Sequence, residues 1–533
     1  METDIQYADA REQKFFDCLA QSITEHDVLL YSGFLLQRAA QLAPNTTALI
    51  GKNESVSYQD LYHQSLVITA YVQQHGIKPR DRVLICLENS IDFYRIYFGV
   101  WQAGAVVAPL NTFLHEAELT HIVHDAQPAA IFCDETKREL FTKLVQERSI
   151  LVVGSMQITE ILTTKSDKNP SLIALDAHEM SALLYTSGTT GLPKGVMLSS
   201  SNIMSNILQT VARLQYTSTE RVLGILPLFH SFAQLASIWG AFFACCTVIV
   251  VPRIDRRFII DSLVHQPTFF LGVPALYGLL CLLKDLDFSA IKYFICGGDM
   301  LPDKIRTAFA LLYNRKLVNG YGMTETSPLI SVDFEDQLRQ TGNVGLPCLH
   351  ISCQIRDEQL RPLPHHQIGT LWVKGPNIML GYYRAPEITK EVLQDGWLNT
   401  GDLAYITASK RIVIVGRSKD IIIHKGLKIY PPEVENVIAK HINVMAVGVI
   451  GVKQKSGDEI PVAFVQLREG DDQAPDLLKE LCNRSLASYK IPRLFICSVE
   501  RLVLTATGKV DKKVLRARDI SDQLDRLSGM QRD

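Results

Sequence analysis

One short segment combines glycines, hydroxyl side chains and a lysine between two apolar runs. The segment YTSGTTGLPKGV (185–196) holds three glycines, three threonines, one serine and Lys194. Glycines allow backbone N–H groups to turn toward a ligand, and threonine and serine hydroxyls add further donors. Such a loop suits the oxygens of a phosphate group, with the lysine as a point charge at its end, although a plain surface loop has a similar composition.

The glycine spacing separates this loop from other phosphate loops. A Walker P-loop has its lysine directly after the last glycine, whereas Lys194 stands before Gly195. The segment GYGMTE (320–325) approaches the dinucleotide motif G-x-G-x-x-G but ends in Glu325. The chain also contains no G-x-S-x-G nucleophile elbow. The loop therefore predicts phosphate binding of another kind.

The composition is that of several globular units without a strong charge. The chain has 533 residues, of which 47% are hydrophobic and 21% charged, and its net charge is −2. At about 100–200 residues per domain, this length predicts two to four units. The near-neutral charge excludes a global basic field that would attract nucleic acid, so we expect no nucleic-acid partner.

The cysteines and the apolar runs bear on compartment and membrane contact. Eleven cysteines are scattered without a C-x-x-C pair, which indicates free thiols in a reducing cytoplasm rather than a zinc or disulfide framework. The longest apolar run, AFFACCTVIVV (241–251), is shorter than the ~20 residues of a spanning helix, and we expect it to form a buried strand. The N-terminus is polar, unlike a signal peptide. We expect a cytoplasmic protein without a transmembrane segment, with peripheral membrane contact left open.

The elements that would position the loop alternate between strand and helix. From residue 48 to about 299, strand-like runs such as DRVLICLENS (81–90) precede helical runs such as IDFYRIYFGVWQAG (91–104). This alternation predicts an α/β fold of layered parallel sheets. The run ALLY (182–185) is expected to end a strand directly before the loop.

The pattern changes twice toward the C-terminus. After about residue 342, short alternating strands with turn signals predict a β-rich subdomain over about 342–416. From GRSKD (416–420) an α+β pattern resumes. We therefore predict a large N-terminal domain over 1–416 and a small, mobile α+β C-terminal domain over 417–533.

Six ordered segments resemble the motifs of one enzyme superfamily. YTSGTTGLPKGV is similar to the signature of the adenylate-forming, or AMP-binding, enzymes, and the resemblance covers roughly residues 30–515. That superfamily includes acyl-CoA synthetases, peptide-synthetase adenylation domains and luciferases. The other segments, in the family's order, are LPLFH (226–230), GYGMTET (320–326), GWLNTGDLAY (396–405), GRSKDIIIHKGLKIYPPEVE (416–435) and TATGKVDK (505–512).

The resemblance implies a reaction in two halves. The carboxylate of an acid attacks the α-phosphate of ATP, giving acyl-AMP and pyrophosphate, and a thiol, usually that of coenzyme A, then takes the acyl group. The expected cofactors are ATP, Mg²⁺ and coenzyme A, and the expected partner is a small-molecule carboxylic acid. Displacement at phosphorus needs charge stabilisation more than a protein nucleophile, which agrees with the lack of a nucleophile–base pair in the motifs.

The same resemblance implies a nucleotide site. Thr324 would bond the α-phosphate, Glu325 would hold Mg²⁺, which prefers oxygen ligands, and Tyr321 would stack on adenine. Asp402 would accept from the ribose hydroxyls. Outside their motifs, Glu325 suits a helix N-terminus equally well, Tyr321 suits a core position and Asp402 suits a turn. The implied metal ligands are Glu325 and Thr186. The implied ATP- and AMP-binding residues are Thr186, Ser187, Gly188, Thr189, Thr190, Gly191, Lys194, Gly298, Asp299, Tyr321, Asp402 and Arg417.

Two regions of the C-terminal domain are implied to act in turn. Lys509 would neutralise charge on the carboxylate and the α-phosphate in the first step. After pyrophosphate leaves, the domain would rotate about a hinge at Lys419 and present Lys425 and Gly426 to the pantetheine arm of coenzyme A. With His230 beside the carboxylate, the implied catalytic residues are Lys509, Thr324, Glu325 and His230.

The segment FHSFAQ (229–234) bears on the choice of acid. Amino-acid-activating relatives have an aspartate near this point, but FHSFAQ has none, and a buried ammonium needs a partner. The residues implied to line the acyl pocket, Phe232, Ala233 and Gly272, favour a medium- or long-chain fatty acid. The alternatives are an aryl-acid CoA ligase, transfer to an acyl carrier protein, and a non-catalytic nucleotide-binding relative. Asp299 departs from the family pattern, because it replaces a commonly small residue. Taken alone, His230 also fits a core position.

Overall fold

The fold is described from a computed structural model of the chain. The described residues are 32–146, 150–163, 170–186, 192–283, 286–334, 342–454, 458–505, 509–520 and 523. Within these ranges the strands are β1 (Thr47–Ile50), β2 (Ser55–Ser57), β3 (Arg82–Cys86), β4 (Val106–Pro109), β5 (Ala130–Cys133), β6 (Leu151–Gly154), β7 (Met180–Thr186), β8 (Lys194–Ser199), β9 (Arg221–Gly224), β10 (Thr247–Val250), β11 (Phe269–Gly272), β12 (Tyr293–Cys296), β13 (Leu317–Gly322), β14 (Leu329–Asp333), β15 (Asn343–Pro347), β16 (Ser352–Arg356), β17 (Gly369–Lys374), β18 (Gly381–Tyr382), β19 (Leu393–Gln394), β20 (Trp397–Ile406), β21 (Ile412–Arg417), β22 (Ile422–His424), β23 (Leu427–Ile429), β24 (Val444–Lys453), β25 (Glu459–Leu467) and β26 (Leu494–Ser498).

The helices lie mostly between these strands. They are α1 (Leu35–Leu42), α2 (Tyr58–Gln74), α3 (Ile91–Gln102), α4 (Glu116–Ala126), α5 (Glu135–Leu144), α6 (Ser155–Thr163), α7 (Ser200–Leu214), α8 (Ser231–Gln234), α9 (Gly240–Phe243), α10 (Arg256–Leu263), α11 (Pro274–Leu280), α12 (Asp303–Tyr313), α13 (Pro386–Val392), α14 (Pro431–Ile438), α15 (Ala474–Ser485) and α16 (Lys512–Arg516). A π-helical turn (Leu235–Trp239) joins α8 to α9, and 3₁₀ turns cover Ser32–Phe34, Thr324–Thr326, Ser418–Asp420 and Ser488–Lys490.

Two sheets build the N-terminal domain. One has the order β18-β8-β7-β4-β3-β5-β6, and the other runs from β16 through β15, β14 and β13 to β2. The pairs β3–β4, β3–β5, β5–β6 and β4–β7 are parallel, as the strand–helix alternation predicted. The α/β class is therefore confirmed. Strands β15, β16, β17, β20 and β21 do not form a separate sheet, because β15 pairs with both β14 and β21.

Hydrogen-bonded caps explain where two helices begin after strands of the seven-stranded sheet. Helix α3 begins after Ser90, whose hydroxyl accepts from the Phe93 N–H at 3.2 Å, and nearly the whole helix is buried. Helix α7 follows β8 directly. It begins with a capping box in which Ser199 and Asn202 exchange backbone and side-chain hydrogen bonds of 3.0 and 3.1 Å. These caps fix where the chain leaves the strands that flank the site.

The apolar run 241–251 is not one buried strand, so that prediction is wrong. Its first residues complete α9, and β10 covers only Thr247–Val250. Cys245 lies between them with a φ of 57°, which turns the chain from helix to strand. An apolar run buried on all sides has no periodicity that separates a helix from a strand, which is why the pattern misled.

The C-terminal domain is small and has its own cores. Strands β24 and β25 pair antiparallel, and β26 adds to β25 in parallel. One face of this sheet buries apolar side chains with α14 and α15, as Val434 and Leu478 illustrate, and the other face packs residues such as Leu515 of α16. The predicted α+β character of this region is confirmed.

Hydrogen bonds dock the C-terminal domain on the N-terminus of α12. The Lys304 ammonium donates to the carbonyl oxygens of His441 and Val444, both at 3.1 Å. The Asn436 amide donates to Asp303 at 3.2 Å. The structure thus describes one arrangement of the two domains, in which Lys509 contacts the N-terminal domain at Asp299.

Candidate active site

Asp402 is the centre of a hydrogen-bonded cluster in which β20 lies beside the ends of β13 and β21. It lies opposite Arg417 in the β20–β21 pair, and its Oδ1 is 3.2 Å from the Arg417 Nε. The Tyr321 hydroxyl donates to Asp402 Oδ2 at 2.6 Å. Burial, with the neighbouring carboxylate, raises the pKa of Tyr321, so the phenol stays protonated and donates. A carboxylate has about four acceptor positions, so Asp402 keeps room for donors such as ribose hydroxyls.

Glu325 is a buried carboxylate in the 3₁₀ turn after β13. It is 7% exposed, and burial raises its pKa, whereas the hydrogen bond from Tyr382 opposes that rise. The Tyr382 hydroxyl lies 2.7 Å from Glu325 Oε1. A buried carboxylate is stabilised by a cation, which is the property a metal ligand needs.

The surroundings of Glu325 fit Mg²⁺ bound together with a nucleotide. Among the described residues, no group of three or more histidine, cysteine, aspartate and glutamate side chains could hold a metal ion. Mg²⁺ typically takes one or two carboxylates and completes its shell with phosphate oxygens and water. Glu325 would therefore supply the carboxylate, and the bound metal would offset negative charge on the phosphates.

Thr186 and Lys194 stand at the two ends of the predicted phosphate loop. They pair with each other across the antiparallel β7–β8 hairpin. Lys194 extends over the ring of Tyr382, with its Nζ 5.5 Å from the ring centroid. The predicted loop residues Ser187, Gly188, Thr189, Thr190 and Gly191 lie outside the described residues.

His230 caps the helical segment that begins with α8. Its Nδ1 accepts from the Phe232 N–H at 3.2 Å, so Nε2 carries the proton of the neutral ring. Burial and the nearby Lys509 charge lower the pKa of His230 to about 4. The adjacent Ser231 shares a hydrogen bond of 3.2 Å with the Thr324 hydroxyl. His230 is therefore neutral at pH 7 and offers an N–H donor at the site.

The C-terminal domain contributes Lys509 to this site. The Lys509 Nζ lies 3.5 Å from Asp299 Oδ1, and its charge acts on His230. Gly298, directly before Asp299, has a φ of 79°, a conformation that favours glycine. The structure thus brings together Lys509, Asp299 and His230, which are at least 69 positions apart in the sequence.

The predicted coenzyme A residues lie apart from this cluster. Lys425 and Gly426 form the exposed turn between β22 and β23, with φ angles of 50° and 77°. The Lys425 N–H donates to Asp458 Oδ1 at 2.8 Å. Among the described residues, no hydrogen bond or ion pair joins Lys425 to Asp299, Glu325 or Asp402. The predicted hinge, Lys419, is exposed in the 3₁₀ turn between β21 and β22.

An apolar cavity lies beside Phe232. Its volume is about 20 Å³, and its lining has no acidic or basic side chain. The π-helical turn supplies part of the wall, a feature often found at functional sites. The lining includes Phe232, Leu235 and Ala236, together with Leu271, Ile295 and Val332 of the large sheet.

Of the three predicted acyl-pocket residues, Phe232 alone is part of the cavity lining. Ala233 is 1% exposed and follows Phe232, but the lining does not include it. Gly272 follows the lining residue Leu271, and a Cβ atom there would lie 3.0 Å from the Tyr277 ring. Gly272 therefore permits close packing of Tyr277 beside the cavity.

Two side chains of the site were missed by the sequence reasoning. Ser231 lies between two predicted residues, and a hydroxyl next to the motif histidine was the available signal. Tyr382 belongs to none of the six motifs, and its contact with Glu325 spans 57 positions. No local pattern in the sequence indicates such a long-range contact.

Comparisons with known proteins agree with this geometry. The family described as "AMP-binding enzyme" matches residues 36–383, and the "AMP-binding enzyme C-terminal domain" matches 433–509. The chain is 32% identical to a long-chain-fatty-acid–CoA ligase of Bacillus subtilis (strain 168), over 90% of this chain and 93% of that protein. It is 31% identical to a feruloyl-CoA synthase of Amycolatopsis sp, over 90% and 97%. The ATP-bound structure of MatB from Rhodopseudomonas palustris superposes with a TM-score of 0.85 at 30% identity, covering 91% and 98% of the two chains.

The chain belongs to the AMP-binding enzymes. It is an acid–thiol ligase that forms an acyl-CoA by way of an acyl-AMP, with ATP, Mg²⁺ and coenzyme A. A Bacillus subtilis relative, an o-succinylbenzoate CoA synthetase, has been solved with ATP and a magnesium ion, at a TM-score of 0.82, 26% identity and coverage of 91% and 98%. The ligases among these relatives are named for coenzyme A, which gives no support to an acyl carrier protein as acceptor. No helix among the described residues has the length and apolar character needed to cross a membrane.

Proposed function

We propose that the chain activates a medium- or long-chain fatty acid and transfers it to coenzyme A. The observation that carries this proposal is the uncharged lining of the apolar cavity beside Phe232, which offers no group to pair with a polar acid. Burying apolar surface contributes about 25 cal/mol per Å², so such a wall favours an alkyl chain over a charged or amino acid. The relative that is named a long-chain-fatty-acid–CoA ligase supports the same choice.

In the proposed first step, a carboxylate oxygen of the acid attacks the α-phosphorus of ATP and the bond to the β-phosphate breaks. Lys194 and Thr186 bind the leaving pyrophosphate, and Thr324 bonds the α-phosphate. Glu325 holds the metal, which supplies positive charge to the phosphates. These assignments rest on the motif resemblance together with the buried Glu325 carboxylate and the pairing of Thr186 with Lys194.

Other residues bind the nucleoside and the acid. Asp402 and Arg417 hold the ribose, while Tyr321 stacks on adenine. Lys509 and the neutral His230 stabilise the negative charge that develops between the carboxylate and the phosphate. The ion-pair distance of 3.5 Å between Lys509 and Asp299 supports a docked lysine in this step.

In the proposed second step, the thiolate of coenzyme A attacks the acyl carbon and AMP leaves. The C-terminal domain, which we take as 417–533, rotates about Lys419 so that Lys425 and Gly426 approach the pantetheine arm. The positive φ of Gly426 and the open space around its Cα support a close approach of ligand to backbone.

A second candidate is an aryl-acid CoA ligase. A cavity of about 20 Å³ holds little more than one small group, so a long chain requires the lining to move. The relative named feruloyl-CoA synthase favours the same alternative.

For the compartment we propose the cytoplasm, because the cysteines among the described residues are free thiols.

The test is pyrophosphate release from ATP and Mg²⁺ with single acids from acetate to palmitate and with benzoate, each with and without coenzyme A. The proposal predicts that release rises with alkyl chain length and that coenzyme A accelerates turnover. Faster release with benzoate than with any alkyl acid would favour the aryl alternative. Release that coenzyme A does not stimulate would contradict the thiol-transfer step.

A further inference from the structure

Tyr382 lies between two charged side chains of the proposed phosphate site. Its hydroxyl donates to Glu325 Oε1 at 2.7 Å, and the Lys194 Nζ lies 5.5 Å above its ring. We propose that Tyr382 is a positioning residue for the first half-reaction, which holds the Glu325 carboxylate toward the metal and the Lys194 ammonium toward the pyrophosphate. This inference rests on the roles proposed for Glu325 and Lys194.

The backbone around Tyr382 is tied to both partners. Tyr382 pairs with Val196 in the antiparallel β18–β8 ladder, two residues after Lys194. The Tyr383 N–H donates to the Gly195 oxygen at 2.7 Å. The chain around Tyr382 is therefore fixed against the strand that begins with Lys194.

The same segment also holds the turn that carries Glu325. The Met379 N–H donates to the backbone oxygen of Glu325 at 2.9 Å. The segment 379–383 thus joins the lysine strand to the carboxylate turn through its main chain, and Tyr382 joins them again through its side chain. Two independent links between the same elements are expected where the relative position of two groups matters.

The chemistry of the phenol suits this task. A tyrosine hydroxyl that donates to one carboxylate oxygen fixes the plane of the carboxylate and leaves the second oxygen for a cation. Hydrogen bonds to charged acceptors are about twice as strong as neutral ones. The ring face attracts the ammonium through its quadrupole, which limits the positions of a long and flexible side chain. Tyr382 therefore orients both groups without touching the acid.

The first test is the variant Tyr382→Phe, which keeps the ring over Lys194 and removes the hydroxyl. The Mg²⁺ concentration that half-saturates ATP binding, measured by titration calorimetry without acid, should rise about tenfold, as expected for the loss of one hydrogen bond to a charged group. Acyl-AMP formation should need correspondingly more Mg²⁺. Thioester formation from supplied acyl-AMP and coenzyme A should not change, and a fall there would contradict a role confined to the first step.

The matched control is Tyr383→Phe, which removes a hydroxyl from the next residue of the same segment. Its Mg²⁺ requirement should equal that of the unchanged chain. Equal Mg²⁺ requirements for the two phenylalanine variants would overturn the inference. The melting temperatures of both proteins without ligands show whether a change in folding contributes.

Two further variants separate the inference from the roles on which it rests. Glu325→Gln should raise the Mg²⁺ requirement strongly, and Tyr382→Phe should add little in that background, because its acceptor carboxylate is gone. No effect of Glu325→Gln would refute the proposed metal role itself. An effect of Glu325→Gln without one of Tyr382→Phe would refute the inference alone. Tyr382→Leu, which also removes the ring, should in addition raise the pyrophosphate concentration needed to reverse the reaction.

Discussion

Lys509→Ala separates the two half-reactions. Lys509 comes from the C-terminal domain, and its Nζ lies 3.5 Å from Asp299 and acts on the pKa of His230. We propose that the lysine lies where the carboxylate and the α-phosphate of the first step meet. The substitution should slow acyl-AMP formation strongly and leave the transfer to coenzyme A nearly unchanged.

The size of the rate loss in Lys509→Ala distinguishes two possible causes. The Lys509 and Asp299 side chains are 33% and 39% exposed, and exposed ion pairs contribute about 0.2–1 kcal/mol, or at most about a fivefold change. Removal of a preorganised group that stabilises developing charge costs about 100- to 1000-fold in rate. A loss of that order therefore cannot come from the broken ion pair and must reflect charge stabilisation in the transition state.

The assay compares the two steps directly. Pyrophosphate release from ATP and dodecanoate without coenzyme A reports the first step, and thioester formation from supplied dodecanoyl-AMP reports the second. The matched control is Lys513→Ala, which removes an exposed lysine four positions away and should affect neither step. Equal losses in both steps, or a loss below fivefold in the first, would refute the role proposed for Lys509.

Three other perturbations follow from the same geometry. Asp299→Asn should slow the first step about two- to fivefold by removing the partner of Lys509, and a tenfold rise in the KM for ATP would instead indicate a contact with adenine. The pKa of His230 is lowered to about 4, so this side chain stays neutral above pH 5. The pH dependence of the first-step rate between pH 7.5 and 5.5 should therefore be the same in His230→Asn as in the unchanged chain. Ala236→Leu fills the apolar cavity, which holds little more than one small group, so dodecanoate should lose the burial of about one methylene, about 0.8 kcal/mol or fourfold in kcat/KM. The loss should be smaller for butyrate.

Local patterns were enough to predict most of the elements and motif positions. The alternation of β3, α3, β4 and α4 depends on short apolar runs and nearby caps such as Ser90, which a sequence displays directly. Lys194, expected as a charge at the end of the glycine-rich loop, is the first residue of β8. Motif residues such as Asp402 and Glu325 keep their spacing because each motif occupies one strand or one turn.

Contacts between distant segments were not predictable in the same way. The pairing of Lys509 with Asp299 spans 210 positions and depends on how the two domains dock. The run 241–251 was wrongly predicted as one strand, because Cys245 adopts a positive φ that its residue type does not favour. The role of Tyr382 depends on β18 joining the edge of a sheet formed much earlier in the chain.

The most direct test of the account is a competition between acids for a limiting amount of enzyme. The protein would be mixed with ATP, Mg²⁺ and equal concentrations of butyrate, dodecanoate, benzoate and succinate, without coenzyme A. Mass spectrometry of the bound adenylates then gives the relative amount of each acid that the enzyme activates. The proposed fatty-acid substrate predicts that dodecanoyl-AMP dominates, and the uncharged cavity lining predicts that succinyl-AMP is absent. Benzoyl-AMP or succinyl-AMP as the main product would contradict the proposed fatty-acid substrate.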